Sequence, residues 1–240
     1  MKLLTILLWL PLFIFACNDD DDFMPIEITP PTDTTDTISF LALGDSYTIG
    51  TAVADNERWP ALLTANLLQT GADGKSYSSA TDIVATNGWT TRDLINGIGA
   101  RSDLRATYDL VSLLIGVNNQ FQGRSLTEYR TEFEDLLNQA IVFAGNNRDR
   151  VFVVSIPDYA FTGFGGGNPD ISEGVRQFNA ACREITESYG IPFINITPIS
   201  QEGIDDPSLV ATDNLHPSGK QYQRWVDELI EDQVREILSN

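Results

Sequence analysis

The chain reads as one α/β domain, a three-layer α/β/α sandwich around a central, mostly parallel five-stranded sheet. Three observations predict it. Five short apolar runs recur along the chain, and several end at glycine or proline. Segments with apolar residues at helical spacing lie between them, which implies parallel pairing with both sheet faces covered. Residues suited to chemistry gather just beyond the ends of those runs.

Ile38 to Leu43 is an apolar run closed by Gly44 and reads as a buried strand. Trp59 to Leu68 reads as a helix, with Pro60 tolerated in a first turn that needs no backbone N–H. Asp82 to Ala85 is a weaker second strand, and Leu110 to Ile115, ended by Gly116, a third. Leu126, Tyr129, Phe133, Leu136, Leu137, Ala140 and Ile141 mark one helix face. Val151 to Ile156 is a fourth strand, stopped by Pro157. Val175 to Tyr189 is helical, and Pro192 to Ile196 is the fifth strand. Tyr222, Trp225, Val226, Leu229, Ile230, Val234 and Ile237 define a closing amphipathic helix. In open sheets of this kind ligands bind outside the carboxyl ends of the strands. That rule places Gly44-Asp45-Ser46, Asn87-Gly88, Gly116-Val117-Asn118, the Pro157–Asn168 loop and the Asp213–His216 loop on one rim.

Composition narrows the function. At 240 residues and 42% hydrophobic content the chain fills one good-sized domain. Fifteen basic against 34 acidic residues leave a net charge of −19, which argues against nucleic-acid binding and against electrostatic docking on anionic lipid. Two cysteines make no disulfide framework, and no Cys/His cluster suits zinc. Cys182 lies on an apolar helical face and reads as a buried thiol. The Gly-rich stretch Gly163 to Gly167 lacks the Lys-Ser/Thr that a phosphate cradle needs. No cofactor and no obligate protein partner are expected.

The first residues read as address and tether. Lys2 and the apolar Leu3–Phe15 form a segment of roughly 20 Å as a helix, short of a bilayer core of about 30 Å, so residues 1–16 are expected to be a signal peptide. Its end, Ile14-Phe15-Ala16-Cys17, resembles a bacterial lipoprotein signal, whose cysteine becomes the lipidated N-terminus. Residues 17–37 carry an Asp19–Asp22 run and then prolines and threonines, an extended tether. The resemblance implies export to the bacterial cell envelope, in the outer membrane or at the cell surface, with membrane contact through lipid on Cys17. Residues 38–240 are left as the folded domain.

His216 is the sole histidine and stands three residues after Asp213. A serine hydroxyl needs a base to become a nucleophile, and a carboxylate can fix the tautomer of that base. Ser46 after the first strand is the serine that fold logic places beside it. Taken alone, Ser46 also fits a helix N-cap, and Asp213 and His216 fit a surface loop.

These blocks together resemble the SGNH (GDSL-type) hydrolase family. Gly44-Asp45-Ser46-Tyr47 matches its first block, Gly88 in Asn87-Gly88-Trp89 its second, Gly116-Val117-Asn118-Asn119 its third and Asp213-Asn214-Leu215-His216 its last. Gly97 and Gly99 lie near enough to compete for the second block. Asn119 departs from the usual Asp. The resemblance covers about Ile38 to Asn240 and implies a flavodoxin-like SGNH-hydrolase fold. It also implies a Ser46–His216–Asp213 triad, with an oxyanion hole from the Ser46 and Gly88 backbone N–H groups and the Asn118 amide. Asp45 is assigned to the scaffold of the nucleophile turn. Trp89, Asn119, Tyr159 and Phe161 are expected substrate contacts, although the Gly-rich loop also fits a flexible surface segment.

The expected function is a serine esterase for carboxylic acyl esters, short or acetyl, acting through an acyl-enzyme. Polysaccharide O-deacetylation, lysophospholipid or thioester hydrolysis would use the same mechanism. A noncatalytic glycan-binding surface lipoprotein is the alternative from a different class.

Overall fold

The computed structural model describes residues 36–68 and 77–239. The signal segment 1–16 and most of the 17–37 tether, with Cys17, lie outside the described residues. Asp36 and Thr37, assigned to the tether from sequence, instead open the first strand.

The chain runs β1 (Asp36–Gly44), α1 (Ser46–Ile49), α2 (Trp59–Leu68), β2 (Tyr77–Ala85), α3 (Thr91–Ala100), β3 (Leu110–Leu114), α4 (Val117–Phe121) and α5 (Leu126–Phe143). It continues through β4 (Val151–Val154), α6 (Pro169–Ser188), β5 (Phe193–Ile194), α7 (Thr197–Ser200), α8 (Gly219–Trp225) and α9 (Glu231–Ser239). The five strands form one parallel sheet in the order β2-β1-β3-β4-β5. The expected sandwich is therefore present, and every strand pair in it is parallel.

Burial follows from that topology. A parallel sheet covered on both faces needs near-continuous apolar strands. Leu110, Val111, Leu113 and Leu114 of β3 and Val151, Phe152 and Val153 of β4 have no exposed surface. Each leucine so buried is worth about 2–5 kcal/mol against alanine. β2 lies at the sheet edge, and polar Ser79, Thr81 and Asp82 interrupt its apolar positions. That mixture hid its first half from sequence reading, which had it begin at Asp82.

Helix starts follow local chemistry. α6 begins at Pro169, six residues before the expected Val175, because Asn168 accepts from the Asp170 amide and Pro169 sits where no N–H is needed. α3 was not anticipated. Its apolar pattern is thinned by Asn96, Gly97 and Gly99, but a capping box of Thr90 with Asp93 starts it. The closing helix carries a π-helical stretch, Val226–Ile230, between α8 and α9.

The chain leaves β1 for β2 at one side and then crosses back to β3 at the other. The β1/β3 boundary is thus the switch point where an open α/β sheet leaves a crevice at its carboxyl ends. Ser46 follows β1 and Asn118 follows β3, one on each side of it.

Candidate active site

β1 ends in a turn built around Asp45. Its Oδ1 accepts the Tyr47 amide at 3.0 Å and its backbone carbonyl accepts from Thr48 and Ile49, so α1 starts at Ser46. Gly44 is required here, since a Cβ would come within 2.6 Å of the Leu114 carbonyl oxygen. Asp45 is wholly buried, and its Oδ2 has no hydrogen-bond partner among the described residues. Burial pushes its pKa up to about 7, against partial relief from the Tyr47 amide.

The Asp213–His216 loop is a compact knot. The Ala211 amide donates to the His216 carbonyl at 2.7 Å, Val210 bridges Pro217, and Asn214 takes a left-handed conformation at φ 61°. Asp213 Oδ1 accepts the Leu215 and His216 amides at 3.0 Å, leaving Oδ2 2.6 Å from His216 Nδ1. Partial burial pulls the Asp213 pKa up, but the hydrogen bonds from His216 and Leu215 outweigh it and hold the carboxyl below its usual range. A carboxylate can only accept, so Nδ1 carries a proton, and the neutral tautomer this bond selects has its lone pair on Nε2. The Tyr47 ring packs on the imidazole at 5.2 Å between centroids. The residue after the serine thereby supports the histidine.

Ser46, His216, Gly88 and Asn118 line one cleft of about 200 Å³. Asn118 donates one amide N–H to the Trp89 carbonyl at 3.0 Å, which orients the amide and leaves its second N–H. Gly88 has φ +79°, and a Cβ there would meet nothing within 4 Å. That left-handed backbone conformation favours glycine at this position.

The expected substrate contacts divide. Tyr159 lines the cleft and donates to Gln120 Oε1 at 2.8 Å. Phe161 does not line it: the two residues share a 3₁₀ turn, whose side chains step by about 120°. Asn119 is 1% exposed and turned onto Thr91, and the Trp89 ring lies against Gly97 of α3, so neither borders the cleft. In their place stand Phe121 and Phe164, 58% and 55% exposed, with Val117 and Leu215. Phe121, Tyr159 and Phe164 form an aromatic triangle with centroids 6.0–6.3 Å apart. Phe121 falls one helical turn after Asn118, and that spacing was the available signal for it. The Gly-rich loop is pinned, with Gly166 and Gly167 amides bonded to the Thr162 and Ala160 carbonyls. It is not the loose segment that its composition also fits.

A serine at a strand end, an Asp-fixed histidine and an asparagine amide lining one cleft have the layout of a hydrolase that uses a serine nucleophile. The sequence comparison is more specific: residues 42–224 match the GDSL-like lipase/acylhydrolase family, and the chain belongs to it. Members are ester hydrolases, as the sequence blocks implied. No curated protein matches the chain. Among solved structures the fold is similar to the lipase/acylhydrolase from Enterococcus faecalis (TM-score 0.63, 18% identity, 84% of this chain and 96% of that one). It is also similar to the psychrotrophic esterase EstA from Pseudoalteromonas sp. (0.62, 18%, 85% and 100%). A third is phospholipase A1 from Streptomyces albidoflavus (0.58, 19%, 80% and 98%).

Proposed function

We propose that the protein is a serine esterase that cleaves carboxylic esters through a Ser46 acyl-enzyme, working in the cell envelope on a lipid anchor at Cys17. The observation that carries the catalytic reading is the Asp213–His216 pair at 2.6 Å in the cleft that Ser46, Gly88 and Asn118 share. Ser46 Oγ attacks the ester carbonyl while His216 Nε2 takes its proton and then delivers it to the leaving alcohol. The Ser46 and Gly88 amides and the free Asn118 N–H meet the oxyanion. One such donor is worth about 10²–10³ in rate. Water then attacks the acyl carbon as His216 Nε2 takes its proton, the bond to Ser46 Oγ breaks, and Oγ takes that proton back as the acid is released.

The walls suggest the acyl group. His216 must reach both Oγ and the leaving oxygen, so the acyl substituent turns away from it, toward Phe121 on α4. Val117, Phe121 and Phe164 offer apolar surface there, which suits a short to medium aliphatic acyl chain. The same exposed rings could stack on a sugar, and this favours an O-acetylated glycan as the second reading.

Hydrolysis of p-nitrophenyl acetate and butyrate by protein starting near Ile28, beside Ser46→Ala and His216→Ala, tests the mechanism. Activity confined to the wild type is the expected result. Equal rates in all three would refute the site, and glycan binding without hydrolysis would then be the function to pursue.

A further inference from the structure

We propose that Asn119, Thr91 and Glu132 form a directed hydrogen-bond chain that sets the spacing of the two oxyanion-hole loops, with Asn119 and Glu132 matched through the single hydroxyl proton of Thr91. The catalytic part of this proposal rests on the esterase reading above.

The direction of the chain follows from donors and acceptors. The Thr91 backbone N–H can only donate, and it reaches Asn119 Oδ1 at 3.0 Å. That bond fixes which end of the Asn119 amide is oxygen. Nδ2 therefore faces Thr91 Oγ1, at 2.7 Å, and donates to it. Thr91 Oγ1 then has one proton to give, and it goes to Glu132 Oε2. The other Glu132 oxygen accepts from Arg92 through Nε at 2.9 Å and Nη2 at 2.8 Å. Asn119, Thr91 and Glu132 are 1%, 0% and 3% exposed, so solvent is poorly placed to replace a mismatched partner.

Its position gives the chain a catalytic consequence. Asn118 Nδ2 donates to the Trp89 carbonyl, so residues 118–119 and 89–91 are joined by adjacent rungs. Gly88 begins one segment and Asn118 the other. The separation of the two donors, one a backbone N–H and one a side-chain amide, is thereby set by Asn119 and Thr91. Asn119 is a positioning residue: it is buried behind the cleft and touches no substrate.

The matching explains the departure from Asp at this position. An aspartate at 119 has no proton for Thr91 Oγ1, leaving one hydroxyl proton between two carboxylates. A glutamine at 132 restores the balance with the direction reversed. Arg92 then donates to its Oε1, its Nε2 donates to Thr91 Oγ1, and the Thr91 hydroxyl and amide both donate to the aspartate.

The test is a double-mutant cycle on the full protein with p-nitrophenyl butyrate, with Thr91→Ser as the conservative control and Ser46→Ala as the check on the mechanism. Asn119→Asp is expected to lower kcat about tenfold and leave KM nearly unchanged, with kcat referred to the active serine titrated by a fluorophosphonate probe so that loss of folded protein does not enter. Glu132→Gln alone is expected to lower kcat as well, because its amide cannot satisfy Thr91 and Arg92 together without reversing the chain. The double variant is expected to recover to near wild type, and Thr91→Ser, which keeps the hydroxyl, to lose less kcat than Asn119→Asp. Full activity in Asn119→Asp, or a double variant no better than the worse single, overturns the proposal. If the single variants unfold, Tm is read over the same cycle, where recovery supports the matching and additive loss overturns it. Should wild type and Ser46→Ala hydrolyse equally, the esterase reading fails instead, and the Tm cycle still decides the matching.

Discussion

Replacing Asp45 with asparagine isolates a single buried charge beside Ser46. The change keeps the oxygen that accepts the Tyr47 amide and nearly preserves volume, while removing a carboxylate whose other oxygen has no partner among the described residues. In the folded chain its pKa stands at about 7 against an ordinary 3.8. The folded state therefore holds a proton that the unfolded state releases, and stability from this group declines as pH rises between those values. The full span is about 4 kcal/mol at 1.36 kcal/mol per pKa unit. Evaluating both titrations at pH 5 and pH 8 gives a loss of roughly 2.5 kcal/mol across that window. Urea unfolding of wild type and Asp45→Asn at both pH values reads it directly, since every other titrating group is common to the pair. The wild type should lose about 2.5 kcal/mol more than the variant on going from pH 5 to pH 8. Parallel pH dependence in the two proteins would show that Asp45 does not carry this proton.

Three further outcomes are expected. Asp213→Asn should lower kcat by about 10³–10⁴ with the fold intact, because an amide at 213 permits the wrong imidazole tautomer; a loss under tenfold would remove Asp213 from the triad. Phe121→Ala should flatten the rise of kcat/KM with acyl length. One-sided burial of a methylene is worth about half of ~0.8 kcal/mol, or roughly twofold each, so acetate to hexanoate spans on the order of tenfold in the wild type. Identical slopes would place the acyl chain elsewhere. Cys182, buried and with its thiol pushed up to about 12, should resist Ellman's reagent in folded protein lacking residues 1–27 and react once in urea. Prompt labelling of the folded protein would refute that burial.

The residues of the proposed triad could be picked out in the sequence because their signals are local. Gly44-Asp45-Ser46 ends an apolar run, and Asp213 and His216 sit three apart, a spacing that the 2.6 Å contact realises within one turn. The five-strand order of events was legible for the same reason, except at β2, where an edge position lets polar residues into the strand. Contacts between distant elements were not. Phe121 and Phe164 meet only because loops after β3 and β4 converge, and nothing in their neighbours' identity announces it. Asn119 was read as a substrate contact from its place beside Asn118. On a helix adjacent residues point about 100° apart, and at Asn119 that step carries the side chain from the cleft onto Thr91.

The Phe164 amide donates to the Asn214 carbonyl at 2.8 Å, and a Cβ on Gly163 would lie 3.1 Å from the Asn214 side chain. The loop that shapes the cleft mouth is thus fastened to the loop that carries Asp213 and His216. Lengthening or reshaping the Gly163–Gly167 stretch to admit a bulkier ester would pull on the backbone beside His216. On this rim, altering what the protein accepts and preserving how fast it acts are not separate engineering problems. Phe121 sits on a separate helix anchored through Thr91, and among its aromatic contacts it meets that fastened loop through the Phe164 ring alone.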